Sequence, residues 1–285
     1  MHNYQPLPNS IDLGPISVSM YALMILLGIL AALALGYDQV RKLKLKPDDL
    51  SDGFLYGLIA GIAGARFYYV IFEWSRYASD PIRAFYIWEG GLAIHGVIIA
   101  VAVFLYFYAK KRNLNLFQYL EVLVPGFLLA QAFGRWGNFF NQEAHGGVVP
   151  GMDLDARRAF LENLFIPDFI VNNMYLIGPE GLDYYHPTFL YESLWNVAGF
   201  LLMFFVVRKI KNYWTGDVLA FYLVWYSVGR FFIEGMRTDS LYLGNIRVAQ
   251  LVSVLFIALG VALFAYRRNK QIYPVTYQSL VEEVK

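Results

Sequence analysis

Seven apolar runs, each about long enough to cross a lipid bilayer, constrain the fold of this chain more strongly than any other feature of its sequence. A helix needs roughly 20 apolar residues to cross a hydrocarbon core of about 30 Å. The fourth run is the least regular, because Gln118, Glu121, Pro125 and Gln131 interrupt it. The runs cover Ser17–Gly36, Phe54–Phe72, Gly91–Tyr108, Leu116–Phe133, Phe189–Val207, Val218–Ile233 and Val248–Tyr266. We therefore predict an all-α polytopic membrane protein with seven transmembrane helices.

The composition supports a membrane protein. The chain is 58% hydrophobic and 16% charged, whereas soluble domains are near 45 to 50% apolar and about 25% charged. Its net charge of +1 and its short, separated basic clusters give no support for a nucleic-acid partner. There is no cysteine, which excludes disulfides, thiolate catalysis and thiolate metal sites. We predict no metal and no cofactor, and any nucleophilic sulfur must belong to a substrate.

The distribution of Lys and Arg predicts the orientation in the membrane. Fourteen of these residues follow the first, third, fifth and seventh runs, against six on the opposite side. No Lys or Arg precedes the first run, so we predict that it is an uncleaved span rather than a signal peptide. The N-terminus is then outside and the C-terminus cytoplasmic.

The longest connection lies between the fourth and fifth runs. Residues 141–187 are proline- and glycine-rich and contain an amphipathic piece, Leu154–Phe165. We interpret them as a small extracytoplasmic head inserted in a single integral-membrane catalytic domain, residues 1–285. No internal repeat is evident, so the two related halves typical of many transporters are missing.

Three polar residues interrupt the second and third runs near their predicted outer ends. Arg66 and Tyr69 lie about one helical turn apart, and His95 lies just inside the third run. A charged side chain near the bilayer centre costs about 2.5 to 3.5 kcal/mol on insertion scales, so such residues indicate function. The alternative for Arg66 is a side chain that reaches the membrane surface from a helix packed through Gly61 and Gly64. Because histidine titrates near neutrality, His95 is a candidate proton acceptor.

The most polar stretch follows the fourth run. Residues 134–147 contain an arginine, two asparagines, a glutamine, a glutamate and a histidine between four glycines. An arginine fork suits bidentate contact with phosphate, and glycines let a backbone approach a ligand closely. We predict that this stretch binds an anionic head group; the alternative is a polar helix end at the water boundary. The candidate binding residues are Arg135, Asn138, Asn141, Glu143 and Gly146.

The sixth run carries four polar residues on one face. Tyr226, Arg230, Glu234 and Arg237 are spaced by four, four and three residues, within roughly 80° of arc on a helix. The alternative is an ion network that satisfies itself. Since one carboxylate cannot neutralise two guanidiniums, we instead predict a surplus positive charge that binds a phosphate. A further stretch, His186–Glu192, we interpret mainly as a helix start with proline in its first turn.

Together these blocks resemble the bacterial prolipoprotein diacylglyceryl transferases. Gly134–Gly146 match the pattern G-R-x-G-N-F-x-N-x-E-x-x-G at every fixed position. The glycine-flanked His95, the stretch His186–Glu192 and the spaced residues in Tyr226–Arg237 are similar to other blocks of that family. The resemblance covers almost the whole chain, and a thirteen-residue pattern with eight fixed positions is specific.

The resemblance implies an activity. The sn-1,2-diacylglyceryl group of phosphatidylglycerol would pass to the lipobox cysteine of a preprolipoprotein signal peptide, forming a thioether and releasing glycerol phosphate. It also implies a multi-pass protein of the bacterial plasma membrane whose active site faces the extracytoplasmic leaflet, in contact with membrane lipids.

The resemblance also suggests roles for individual residues. Arg135 and Arg230 would hold the phosphate and stabilise its developing charge, while His95 would assist thiol deprotonation, unless the arginines alone lower the thiol pKa. The other candidates would bind, position or orient the lipid head group: Arg66, Tyr69, Asn138, Asn141, Glu143, Gly146, Tyr226, Glu234 and Arg237.

Two other functions remain open at this stage. A transporter or lipid flippase could use the same arginines, but it needs polar residues along a path to the cytoplasmic face, and those within the runs gather at the outer end. A serine intramembrane protease could pair His95 with Ser193 or Ser227, but the chain lacks a Gly-x-Ser-x-Gly-like elbow.

Overall fold

The computed structural model describes residues 4, 6–14 and 16–282, and most of them are helical. In chain order the helices are α1 (Met20–Lys42), α2 (Pro47–Phe72), α3 (Ile94–Arg112), α4 (Leu116–Phe140), α5 (Leu154–Asn163), α6 (Asp168–Asn173), α7 (Thr188–Phe205), α8 (Val218–Met236), α9 (Val248–Lys270) and α10 (Tyr277–Glu282). The antiparallel hairpins are β1 (Ser10–Leu13) with β2 (Ile16–Ser19), β3 (Tyr175–Gly178) with β4 (Gly181–Tyr184), and β5 (Tyr242–Leu243) with β6 (Ile246–Arg247). Helices dominate as predicted, but the all-α prediction misses the hairpins.

Six helices of the described residues are long and apolar enough to cross a membrane, and they are α1, α2, α4, α7 extended to Lys209, α8 and α9. This result agrees with a polytopic membrane protein. The predicted third span corresponds to α3, which ends in three basic residues and is not among the six. The count of seven spans and the orientation therefore stay predictions.

The ends of the helices differ from the predicted runs at informative places. α1 begins at Met20 rather than Ser17, because Ile16–Ser19 pairs as a strand. α4 continues to Phe140 instead of ending at Phe133. The first half of the polar stretch is therefore helical, and its side chains have fixed directions.

Contacts divide the chain into two compact units. One combines residues up to 35 with those from 120 onward, and the other covers residues 36–119. In the first unit, α1 packs against α4 through small residues: a Cβ on Gly28 would lie 3.1 Å from the Ala130 carbonyl oxygen, and a Cβ on Gly126 would lie 3.1 Å from the Ala32 Cβ. Small residues at such crossings let membrane helices approach closely.

Two stacked tryptophans join α7 to α8. The rings of Trp195 and Trp225 lie 4.4 Å apart, and each indole N–H donates to the other residue's carbonyl. Since α7 and α8 are antiparallel neighbours, the start of α7 and the end of α8 lie at the same end of the unit. α4 also ends there, and we call this the site end.

The opposite end of the first unit is closed by buried ion pairs. Arg208 pairs with Glu121 of α4, with Nε 3.1 Å from Oε2. Arg267 of α9 pairs with Asp217, just before α8, at 2.5 Å. All four side chains are less than a tenth exposed. Of these four residues only Glu121 lies within a predicted run, so the expectation that polar groups within the runs gather at one end meets one buried, paired exception here.

Residues 141–187 contain more regular structure than predicted. The amphipathic piece forms α5, which ends at Asn163, and the Asp153 side chain caps it by accepting a hydrogen bond from the Ala156 N–H at 2.8 Å. α6 and the β3–β4 hairpin were not predicted. Their apolar side chains form one buried cluster that includes Leu161, Ile170 and Tyr185.

In the second unit, α2 and α3 cross closely. A Cβ on Gly64 would lie 2.6 Å from the Gly96 carbonyl oxygen, a distance that a real Cβ does not reach. This crossing fixes α2, which carries Arg66, against α3, which carries His95.

Candidate active site

Arg135 lies near the end of α4, at the site end of the first unit. Its Nη2 lies 2.7 Å from Glu192 Oε1, and its Nη1 donates to Asn138 Oδ1 at 3.3 Å. The side chain of Tyr226, on α8, lies near this guanidinium. The helix is able to continue through this polar stretch because its charged side chain has these partners.

Glu192, in the first turns of α7, connects the two helices that carry the candidate phosphate-binding arginines. Its Oε2 accepts a hydrogen bond from Arg230 Nη1 at 3.0 Å, while Oε1 faces Arg135. The carboxylate is 2% exposed, whereas 21% of the Arg135 side chain and 17% of that of Arg230 remain exposed. Glu192 was not predicted as a site residue, because it follows a proline-containing helix start and no local sequence pattern shows its partners.

The charged residues on the predicted polar face of α8 form one close ion pair and one long one. Arg230 Nη2 lies 2.5 Å from Glu234 Oε2, and Arg237 Nε lies 4.0 Å from the same oxygen. Arg237 makes its close contacts with Asp239, through hydrogen bonds of 2.9 and 2.8 Å. The bond from Arg237 lowers the pKa of Asp239 below its usual value.

The prediction of a surplus positive charge was incomplete. Arg230 shares Glu234 with Arg237, as predicted, but Glu192 and Asp239 supply further carboxylates. The three guanidiniums of the cluster, including that of Arg135, are therefore matched by three carboxylates. An incoming anion would have to take over donors that Glu192 and Glu234 now occupy, or use those on the exposed sides of the arginines.

A rim of amides continues outward from Arg135. Asn138 Nδ2 donates to Glu143 Oε1 at 2.9 Å, and Asn141 Nδ2 donates to the same oxygen at 3.3 Å. Asn141 and Glu143 are exposed. Asn138, Glu143 and His145 also line a small pocket, so this rim presents polar groups next to a guanidinium.

Two glycines of this stretch serve packing. A Cβ on Gly137 would lie 2.6 Å from the ring of Tyr21, so this glycine admits α1. Gly146 is buried, and its N–H donates to the His186 carbonyl at 2.9 Å. At these two positions other protein groups occupy the space that a ligand would need, whereas a Cβ on Gly147 would meet nothing within 4 Å. Close approach of the backbone to a ligand therefore stays a prediction at Gly147.

Arg66, in the second unit, holds a loop. Its Nε donates to the Ala84 carbonyl at 2.8 Å and its Nη2 to the Arg83 carbonyl at 2.7 Å. Its Nη1 donates to the carbonyls of Gly90 and Gly91. The structure thus gives Arg66 a structural role, since its donors fasten the loop between α2 and α3, and its predicted lipid contact stays a prediction.

Tyr69 and His95, also in the second unit, have fewer contacts than Arg66. The Tyr69 hydroxyl accepts a hydrogen bond from Arg76 at 3.0 Å. His95 is exposed on α3, with its ring 5.8 Å from that of Tyr68. An exposed imidazole is free to meet a substrate, but its contacts do not assign it a role.

Comparison with known proteins identifies the family. The sequence profile described as prolipoprotein diacylglyceryl transferase matches residues 8–266. The chain belongs to the prolipoprotein diacylglyceryl transferase family. The resemblance carried by Gly134–Gly146 is confirmed at this level.

Relatives of the same family are similar over nearly the whole chain. A phosphatidylglycerol–prolipoprotein diacylglyceryl transferase of Staphylococcus haemolyticus is 43% identical over 98% of this chain and 96% of its own length. Proteins of the same name from Staphylococcus saprophyticus and Staphylococcus aureus strain JH9 are 46% and 47% identical, each over 92% of this chain and 90% of their own length. Within this transferase family, the roles of single residues in the chain stay predictions.

Proposed function

We propose that this chain transfers the sn-1,2-diacylglyceryl group of phosphatidylglycerol to the lipobox cysteine of a preprolipoprotein. A sulfur–carbon bond forms, the carbon–oxygen bond to the phosphate breaks, the thiol proton is lost, and glycerol phosphate leaves. The names of relatives with 43 to 47% identity over most of the chain support this reaction.

The observation that carries the mechanism is the Arg135–Glu192–Arg230 triad. Negative charge develops on the phosphate oxygens as the carbon–oxygen bond breaks, and donors already held in position stabilise it without reorganisation. Glu192 holds one nitrogen of each arginine at 2.7 and 3.0 Å. The partly exposed remainder of each guanidinium would then meet the phosphate.

The amide rim is the proposed site for the glycerol part of the head group. Asn138, Asn141 and Glu143 already bind one another, so their donors and acceptors are positioned before a ligand arrives. A glycerol hydroxyl both donates and accepts, which suits a mixed amide and carboxylate surface. Tyr226, near Arg135, would position the phosphate end.

The sulfur nucleophile belongs to the peptide, because the chain has no cysteine. A free cysteine has a pKa of about 8.5, and neighbouring positive charge lowers it. His95 is the proposed proton acceptor, and the alternative is that the arginines lower the thiol pKa without a base.

The proposed setting is the bacterial plasma membrane, crossed seven times with α3 as the third span. The N-terminus and residues 141–187 would lie outside and the C-terminus in the cytoplasm. The apolar helices support a multi-pass arrangement, and the Lys and Arg distribution supports its direction.

An assay with phosphatidylglycerol labelled in its acyl chains and a lipobox peptide tests this proposal. The expected product is a lipidated peptide, with an equal amount of glycerol phosphate. A flippase would move labelled lipid between leaflets without this product, and a protease would cleave the peptide. Either result in place of lipidation would contradict the proposal, and a Cys→Ser peptide is the control.

A further inference from the structure

Beneath the triad, four polar atoms of the first unit are buried without a hydrogen-bond partner among the described residues. They are the Nδ2 and Oδ1 atoms of Asn196, the Oγ atom of Ser227 and the Oε1 atom of Gln131. Asn196 is 0% and Ser227 1% exposed. Buried polar groups are almost always paired with protein or with ordered water, so atoms grouped in this way need a common explanation.

These residues continue the triad by one helical turn on each of its three helices. Gln131 precedes Arg135 by four residues on α4, Asn196 follows Glu192 by four on α7, and Ser227 precedes Arg230 by three on α8. Residues at such spacings lie on the same helix face, one turn apart. The unpaired atoms therefore belong to a layer that follows the triad toward the interior.

Direct contacts show that the three helices meet at this level. Gln131 Nε2 donates to the Tyr222 hydroxyl at 3.0 Å, which joins α4 to α8. Ser193 Oγ donates to the Ala132 carbonyl at 3.1 Å, which joins α7 to α4. The paired indoles of Trp195 and Trp225, next to Asn196 and near Ser227, join α7 to α8.

The triad itself has spare hydrogen-bonding capacity. Glu192 Oε1 lies 2.7 Å from Arg135 Nη2, but the two groups are not aligned as a hydrogen bond, and this oxygen is buried without one. The contact is therefore mainly between charges. The oxygen can still accept a bond from a donor that reaches it from the layer below.

We propose that α4, α7 and α8 enclose a bound-water site lined by Gln131, Asn196 and Ser227 and continuous with Glu192. A buried water needs two to four polar partners, and the unpaired donor and acceptors of this layer supply them. Water suits the site better than an ion, because the three lining side chains are uncharged and both donate and accept.

The bound water has a consequence for the proposed transfer, and this consequence alone rests on the proposed function. When a phosphate takes donors from Arg135 and Arg230, Glu192 loses part of its pairing. Water held at Asn196 would replace those bonds, so the carboxylate could stay charged while its arginines turn to the lipid.

The test uses the full-length protein and two variants of the layer, Asn196→Leu and Ser227→Ala, with Ser193→Ala as the matched control. The Ser193 hydroxyl has a known partner, because it donates to the Ala132 carbonyl at 3.1 Å. If the layer holds water, Asn196→Leu and Ser227→Ala remove real hydrogen bonds and lower the melting temperature by roughly 2 to 4 °C, as we expect for Ser193→Ala. If the layer is dry, the two changes remove unpaired polar atoms and raise the melting temperature, while Ser193→Ala still lowers it.

A lower melting temperature of Asn196→Leu could come from lost hydrogen bonds to water or from poor packing of the leucine. A density map of the wild-type protein at about 2 Å resolution decides between these causes, because it shows whether water is bound. We expect a peak within about 3 Å of Asn196 Nδ2 and of a second lining atom. A map without such a peak overturns the proposal whatever the melting temperatures show. Neither measurement uses enzyme activity, so failure of the proposed reaction would leave them unaffected.

If the water site and the proposed transfer are both correct, Asn196→Leu should also lower kcat about tenfold, the effect of losing one hydrogen bond to a charged group. An unchanged kcat would contradict the role of the water in the transfer but not the water site itself.

Discussion

At the residue scale, Glu192 is the least expected and most central side chain. It is 2% exposed and touches arginines from two helices. A buried carboxylate is stabilised only when its charge is matched, so Glu192 and its arginines depend on one another. The site is therefore better described as three arginines spaced by carboxylates than as a positively charged cleft.

Replacing Glu192 with glutamine tests this dependence. The amide keeps the shape of the side chain but not its charge, so both guanidiniums lose their common partner. We expect the free energy of unfolding to fall by about 1 to 3 kcal/mol, since the arginines keep some solvent contact, and the transfer rate to fall at least tenfold. Glu180→Gln, at an exposed turn, is the control. A normal rate for Glu192→Gln would show that the triad is not needed.

Arg135→Lys tests the geometry of the donors rather than their charge. Lysine retains the charge but cannot reproduce a planar fork. The transfer rate should fall roughly a hundredfold, in line with the loss of a positioned donor to a developing anion, with little change in melting temperature. Arg158→Lys, at a partly buried arginine of α5 that has its own carboxylate partner, serves as the comparison, and equal rates for the two variants would contradict the phosphate contact.

His95→Gln tests the proposed base through the pH dependence of transfer. If His95 accepts the thiol proton, the variant should be slowest relative to wild type near pH 6. The difference should narrow toward pH 9, above the cysteine pKa of about 8.5, where the peptide ionises unaided. Near-normal rates across this whole range would exclude the base role.

At the element scale, the sequence predicts the helices well and their long-range partners poorly. Apolar length locates all the long helices to within several residues, because burial in lipid requires continuous apolar runs. It ends α4 too early at Phe133, since the polar residues that follow look like a helix end. They stay helical because Glu192, far along the chain, pairs with Arg135.

Arg66 is a second residue whose long-range partners the local sequence does not show. Its sequence context shows a charged residue in an apolar helix, which indicates a ligand. Its partners are carbonyls 17 to 25 residues away, two of them in a short 3-10 turn, Pro81–Phe85, and no periodic pattern predicts them. Residue type and spacing predicted most polar side chains of the candidate site but not Glu192, and their pairing required the fold.

The crossing of α2 and α3 provides a prediction about packing. Gly64→Ala would place a Cβ 2.6 Å from the Gly96 carbonyl oxygen, so the helices must move apart. We expect a loss of about 1 to 3 kcal/mol in unfolding free energy, seen as a lower melting temperature. The matched control is Gly57→Ala on the same helix, where the new Cβ meets Phe104 at an ordinary 3.5 Å. Equal melting temperatures for the two variants would contradict this crossing.

At the scale of the whole molecule, the open question is how often the chain crosses the membrane. Because it has no cysteine, single cysteines can be introduced at Asp80 and Asn113, the exposed positions on either side of α3. We expect a membrane-impermeant maleimide to label Asp80→Cys on intact cells, and Asn113→Cys only after permeabilisation. Labelling of both from the same side would show that α3 does not span.

The central claim is that Arg135 and Arg230 together hold the phosphate of the lipid substrate. A structure of the protein with bound phosphatidylglycerol tests it most directly. We expect phosphate oxygens about 2.7 to 2.9 Å from guanidinium nitrogens of both arginines, with Glu192 still beside them. A phosphate bound elsewhere, with the two arginines still paired only to Glu192 and Glu234, would contradict it.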